Sequence, residues 1–461
     1  MRQNLKALNT SFNKDEIHEP RNFTEISVPQ LNSSKWLFWS LCVYLLSQSF
    51  TIPLLPIGAW ATWINLSDIA IVLLIVAFFL NLRYQKPPPS NANAKLLLML
   101  IFVLVVSIFS YLNYLSTLTD PDANGVKLGI YQIYRLIQFI CIFAVTTQVP
   151  ITPERKNYLK IIIDFVLIFV SLSIFLTFAK IIPLDMLTAH LPQGKDVSGA
   201  WSIYELVGKV GSGKGLGTVS YNHAYVASQV TLLASFRIHL GLEKKVGYDI
   251  FLLLLSICAC FISESRAGFF AILVFGVIYI LQKPRYMAST IAILFFLLSI
   301  FGAVGLSFLE SADSVEGSIL ERQTTLLDAG NADNLSGRND IWIEKFKFLN
   351  QESIRWIFGT GFGTAWDHGV DGGNAHMLYL HIILENGIVG LLIFAVLFYQ
   401  IIYSLFRYEY GTKPIYWTTI CLLIASFTQE TFYPVAAYGH FLGFYLCTVA
   451  IALRRDIRLI K

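Results

Sequence analysis

Apolar runs of about twenty residues, broken by short polar stretches, recur along almost the whole chain; about that many are needed to carry a helix across ~30 Å of hydrocarbon at 1.5 Å per residue. The pattern predicts about twelve helices, near 36–55, 64–82, 95–113, 128–148, 160–181, 219–240, 247–263, 266–282, 286–308, 387–406, 415–430 and 436–453. Two longer polar stretches interrupt it, one near 183–218 and one at 310–386. The expected fold is all-α and polytopic. A tail over 1–35 precedes nine spans over 36–309; a long loop at 310–386 separates spans nine and ten; the last three spans and a short tail fill 387–461.

Composition agrees with the pattern. Hydrophobic residues make up 55% of the chain and charged ones 14%, and mean hydropathy is +0.60, which are the proportions of an integral membrane protein. A net charge of +4, with its basic residues dispersed, argues against nucleic acid as a partner. Cys42, Cys141, Cys258, Cys260, Cys421 and Cys447 all fall inside apolar runs, which suits small buried hydrophobes better than a disulfide framework. The first 35 residues show no basic region followed by an apolar one, so the first span is expected to act as its own insertion signal.

Charge placement sets an expected orientation. With a cytoplasmic N-terminus, the clusters Arg83/Lys86/Lys95, Arg155/Lys156/Lys160, Arg237/Lys244/Lys245, Lys283/Arg285, Arg407/Lys413 and Arg454/Arg455/Arg458 all fall inside, as the positive-inside rule requires. Both termini are then cytoplasmic. The stretch 183–218, the tight connection at 264–268 and the loop 310–386 all face outward, so that is where chemistry is expected.

Polar features along the chain differ in what they signify. GKVGSGKG at 208–215 has the glycine and lysine spacing of a phosphate loop, but Gly215 stands where Ser or Thr must meet magnesium, and no strand precedes it. A flexible loop leading into a helix is the better reading. Arg135, in IYQIYRLIQF, lies deep in a span; it is either one side of an interhelical ion pair with Asp164 or Asp68, or an anion site opening outward. Arg266 sits at a span boundary in SESRAG and alone reads as an interface arginine. Asp367, His368, Asp371 and His376 crowd ten loop residues, but the glycine-rich segment offers no helical register to preorganise them, so a metal site is not expected.

Arg338 and His376 bracket the long loop. Two guanidinium groups, from Arg266 and Arg338, together with an imidazole on one face suit transfer from a lipid diphosphate, because planar guanidinium matches its paired oxygens and neutralises the charge that gathers as the C–O bond breaks.

The order SRAG (265–268), SGRNDIW (336–342), FGTGFGTAW (358–366) and AHMLYLHIILENGIVGLLIF (375–394) resembles the O-antigen ligase and polymerase superfamily, most strongly over 255–400. The resemblance implies a GT-C-like, metal-independent glycosyltransferase that needs no cofactor. It would take a glycan from undecaprenyl diphosphate outside the bacterial inner membrane and give it to a saccharide or glycolipid acceptor, alongside membrane lipids and other polysaccharide-assembly proteins. It implies that His376 is the catalytic histidine, that Arg266 and Arg338 hold the diphosphate, and that Glu385, Gly387 and Gly390 form the family's helix entry. Many members place Asn directly after the histidine. This chain has Met377 there, although Asn374 stands two residues before it.

The chemistry of the residues runs the same way. A sugar hydroxyl needs a base, and a neutral imidazole with pKa near ~6.5 serves. Direct attack predicts inversion. Glu385 either orients the imidazole or caps the helix that follows; Arg135 and Asn374 join Arg266, Arg338 and Glu385 as candidate substrate-binding residues; Tyr379 and Trp366 are candidate sugar platforms. A flippase or transporter of lipid-linked glycan is the main alternative and a receptor or scaffold the next. A transporter should carry an internal repeat, and none is visible. Ligase and polymerase share the donor and differ in the acceptor, which nothing in the chain names.

Overall fold

The computed structural model describes residues 24–27, 34–56, 63–81, 90–118, 123–182, 215–219, 222–241, 246–288, 338–365, 375–409, 411–434, 439–454 and 457–460, with isolated positions between. Its helices are α1 (Lys35–Ser47), α2 (Leu66–Leu80), α3 (Asn91–Thr117), α4 (Asn124–Thr146), α5 (Pro153–Phe178), α6 (His223–Leu240), α7 (Val246–Ile262), α8 (Arg266–Leu281), α9 (Arg338–Asn350), α10 (Ser353–Phe358), α11 (Leu378–Tyr408), α12 (Pro414–Ala425) and α13 (Phe441–Ala452). Helices occupy eleven of the twelve expected stretches, and the expected span at 286–308 falls largely outside the described residues.

Among the described residues, α3, α4, α5 and α11 are long and apolar enough to cross a membrane; α1, α2, α7, α8, α12 and α13 are apolar but shorter. The described residues are therefore mainly helical, with four helices of membrane-crossing length and six shorter apolar ones. Two small ladders complete it. Thr24–Ser27 pairs in parallel with Ile457–Ile460, and Leu55–Pro56 pairs antiparallel with Trp63–Ile64.

Helix starts follow local polar chemistry. The Ser90 side chain accepts from Asn93 N, Thr152 from Arg155 N ahead of Pro153 in the first turn, Asn222 from Ala224 N and Tyr225 N, and Ser265 from Gly268 N. Each satisfies amide donors that a helix leaves open at its first turn.

The centre is α6, buried all round apart from His223 and His239, with α13 buried throughout beside it. A helix apolar on every side belongs inside a bundle. Its small and polar residues let neighbours approach: Gly268 of α8 lies against Ala227, where a Cβ would overlap the alanine side chain, and Gln429 Nε2 donates to Ser228 Oγ at 3.1 Å. Outward faces of the long helices carry Phe109, Leu112, Leu392 and Tyr399, all exposed, as lipid-facing residues are. The cysteines are free; five are buried and Cys141 is half-buried.

Arg237 and Arg135 are buried beside carboxylates. Arg237, counted with the basic clusters of the sequence, is buried at the end of α6, where it bonds Asp164 and reaches Asp249 at 2.9 Å. Arg135 takes the other partner considered for it: Nη1 meets Asp68 at 2.6 Å, Nε donates to Tyr131 Oη at 2.8 Å, Nη2 to the Trp63 carbonyl at 2.9 Å, and His440 closes the cluster. Asp68 also accepts from Gln138 Nε2 at 2.8 Å. Such a set repays the cost of burying the two charges and fixes α2, α4 and the start of α13 against each other.

The bundle has two chemically different ends. At one, Arg155 bonds Ser34 and the Pro150 carbonyl, Arg454 donates to the Thr147 carbonyl, and Asn93 reaches the Ala450 carbonyl. At the other, the starts of α6, α8 and α11 meet the ends of α3 and α12 and the turn 426–434, which is buried from Gln429 onward.

Candidate functional site

The site grows from a break in α11. Glu385-Asn386-Gly387 interrupts the helix, with Gly387 at φ 66 and ψ −171, so that a short segment Leu378–Asn386 meets the long apolar one at an angle. Breaking the helix strands carbonyls that would have accepted from the next turn. The glycine-rich turn after α10 supplies the donors: Thr360 N bonds the Leu384 carbonyl at 2.7 Å, Gly361 N bonds the Glu385 carbonyl at 3.1 Å, and Ser110 Oγ from α3 adds a second bond to the latter at 2.6 Å. Close approach of two backbones explains the glycines. A Cβ on Gly387 would overlap the Ile357 carbonyl oxygen, and one on Gly359, at φ 74, would overlap Glu385.

Helix α9 supplies the second wall. Arg338, Trp342, Lys345 and Leu349 share one face at helical spacing. Trp342 Nε1 donates to the Ala375 carbonyl at 2.8 Å, and Lys345 Nζ donates to the Ala365 carbonyl at 3.0 Å. The tryptophan of SGRNDIW thus ties the helix opened by Arg338 to the residue before His376. Leu349, Ala375, Leu380 and Leu384 form a small apolar core beneath.

His376 stands at φ 50, in the left-handed region, which is uncommon for residues with a side chain although histidine is among those that enter it most readily. Its imidazole is 41% exposed, and Nδ1 lies 4.0 Å from a carboxylate oxygen of buried Glu430. Partial desolvation pushes its pKa below the ordinary 6.5; the Arg338, His381 and Lys345 charges push the same way and Glu430 opposes them. Arg338 is therefore near enough to act on the imidazole through space. Lys345 is buried and its pKa is lowered, chiefly by desolvation, with Glu344 and Glu385 acting against the shift.

Behind His376 is a buried acid and imidazole array that sequence reasoning missed. The other carboxylate oxygen of Glu430 lies 3.7 Å from His381 Nδ1, and His381 Nε2 lies 3.3 Å from Glu385. Tyr433 Oη donates to Glu385 at 2.7 Å and accepts from Asn386 Nδ2 at 2.8 Å, while Ala365 N donates to Glu385 at 3.3 Å. The ring of Tyr433 packs edgewise on His381 at 4.8 Å. Glu385 thus lies beside an imidazole, but that of His381. The i,i+4 spacing of His381 and Glu385 was visible in HIILE; Glu430, 54 residues beyond His376, left no local signal beyond being an acid in an apolar stretch.

The other candidates divide. Arg266 opens α8, half-buried, at the same end as His376, through the Gly268–Ala227 and Ser228–Gln429 contacts beside Glu430. Arg135 lies in its own buried cluster with Asp68 and His440. Tyr379 bonds the Leu423 carbonyl at 2.7 Å and packs on Phe427 at 4.7 Å, so its ring is engaged within the protein. Asn374, Trp366, Asp367, His368 and Asp371 lie outside the described residues, as do most of 183–218 and all of 310–337.

Residues 251–395, just under a third of the chain, match the family model described as O-Antigen ligase. The match runs from α7 through the break in α11, including Arg266, Arg338, His376, His381 and Glu385, and stops short of Glu430. No curated protein matches the chain.

Proposed function

We propose, from the match of residues 251–395 to the O-antigen ligase family model, that the chain transfers a glycan from undecaprenyl diphosphate to a saccharide acceptor at the His376 end of the bundle, on the external face of the bacterial inner membrane. The observation that carries the reading is the tie between Trp342 and Ala375. It sets Arg338 beside the imidazole of His376, with Glu430 behind that imidazole.

In this mechanism Arg338 and Arg266 hold the donor diphosphate by paired N–H donors and neutralise it as the C–O bond breaks. The acceptor hydroxyl attacks the anomeric carbon, and its proton passes to Nε2 of His376. Nδ1 faces Glu430, whose negative charge stabilises the imidazolium that forms. A new glycosidic bond forms as the diphosphate leaves with the electron pair of the old one. One displacement inverts the anomeric centre. The arginines take the place of a metal. The depressed pKa of His376 keeps it neutral, and so able to accept a proton, at neutral pH.

We assign Arg135 to the bundle rather than the substrate, because its donors already meet Asp68, Tyr131 and Trp63. The acceptor separates an O-antigen ligase from a polymerase, and both use this same donor chemistry. The reading is tested by reconstituting the protein in proteoliposomes with a polyprenyl-diphosphate glycan and an acceptor, in the presence of a strong chelator. Product of inverted configuration is expected; retained configuration, or loss of transfer on chelation, overturns the proposed chemistry.

A further inference from the structure

Helices α9 and α10 leave an apolar face uncovered. On α9, Trp342, Lys345 and Leu349 turn toward the site, and Asp340, Glu344 and Lys347 form a polar strip. Between them Ile343 and Phe346 stand exposed. On α10, Ile354, Ile357 and Phe358 share one face at helical spacing and are 61%, 48% and 54% exposed. Phe346 stacks on Trp356 at 6.0 Å, which joins the two helices into one hairpin. An apolar arc wider than the protein covers marks a surface with another partner.

The position of this face says what that partner is. The Ile357 carbonyl meets α11 at Gly387, directly before the exposed Ile388, Val389 and Leu392 of its long apolar segment. Ser110 of α3 bonds the Glu385 carbonyl at the same level, beside exposed Phe109 and Leu112. The exposed apolar face of α10 thus adjoins the exposed apolar outer surface of two membrane-length helices, and α9 is joined to it through Phe346 and Trp356.

We propose that the α9–α10 hairpin is seated in the lipid leaflet at the His376 end of the bundle, with Ile343, Phe346, Ile354, Ile357 and Phe358 among the acyl chains. The polar turn Asn350–Ser353, all exposed, stays at the aqueous boundary. Hydrophobic burial against acyl chains drives the seating. The inference does not depend on the transfer chemistry.

The test places a nitroxide at Ile357→Cys in proteoliposomes of the full chain and compares its collisions with oxygen, which partitions into lipid, and with a water-soluble nickel chelate. Leu392→Cys serves as lipid reference, Gln351→Cys as water reference, and the unsubstituted chain reports any labelling of native cysteines. Oxygen-dominated collisions at position 357, approaching those at 392, are expected. Nickel-dominated collisions at 357 would put the hairpin in water and overturn the proposal. Few collisions with either would show the face covered by protein, a second copy or a partner, and would overturn it equally.

Discussion

The indole Nε1 of Trp342 donates to the Ala375 carbonyl at 2.8 Å, so the helix that opens with Arg338 is tied to the residue preceding His376. The bond joins two segments that are more than thirty residues apart in sequence. Trp342→Phe keeps most of the ring and removes the donor. A loss of about 0.5–1.5 kcal/mol in stability is expected, together with a fall of roughly 10- to 100-fold in transfer rate from misplacing the imidazole. Thermal unfolding in detergent and initial transfer rates measure the two; an unchanged rate would mean the tie does not position His376.

The charges around His376 predict pH shifts of opposite sign. In the proposed mechanism the neutral imidazole is the active form, so transfer falls as pH drops through the His376 pKa, which lies below 6.5. Arg338 lowers that pKa and Glu430 raises it. Arg338→Gln should therefore move the acid limb of the rate profile upward, and Glu430→Gln should move it further down. Both variants are also expected to lower the rate at the optimum. Shifts of the same sign in the two would contradict the electrostatic arrangement.

Gly387→Ala places a Cβ on the Ile357 carbonyl at φ 66, whereas Gly411→Ala meets nothing at φ 70. The second should cost only the left-handed backbone term, about 1–2 kcal/mol. The first adds overlap between two backbones that cannot easily part, and at ψ −171 a backbone conformation essentially confined to glycine. It is expected to lower the thermal midpoint well beyond Gly411→Ala and to abolish transfer. Equal midpoints would show that α10 does not press on the break.

The Arg135 cluster predicts a stability effect. Asp68→Asn leaves a buried guanidinium without its carboxylate, which typically costs about 3–5 kcal/mol. Arg135→Gln combined with Asp68→Asn should recover part of that loss. If instead single variants at Arg135 fold normally and raise only the donor KM, the residue belongs with the substrate.

Much of this arrangement was legible in the chain because its signals are local. Arg338 and Trp342 lie one helical turn apart, and the glycines of FGTGFGTAW and ENGIVG mark backbone approaches that other residues resist. The span expected to begin at 387 does meet a helix break there, but the helix starts nine residues earlier, where Leu380 and Leu384 pack with Leu349 of α9 and Leu378 joins the main core. Glu430 and Tyr433 were not legible. They reach the site across about fifty residues, and a single sequence holds no record of which distant turn folds under a given helix. Arg135 was ambiguous for a physical reason: a buried arginine looks alike in sequence whether it faces a carboxylate of its own chain or of a ligand.

The central claim is that His376 is the base of glycan transfer. Its most direct test is His376→Ala in the native host, with membrane level confirmed and surface glycans and lipid-linked intermediates separated by size. The account predicts loss of surface glycan with accumulation of its lipid-linked precursor, long chains if the protein is a ligase and single repeat units if it is a polymerase. An unchanged profile at normal protein level would contradict it.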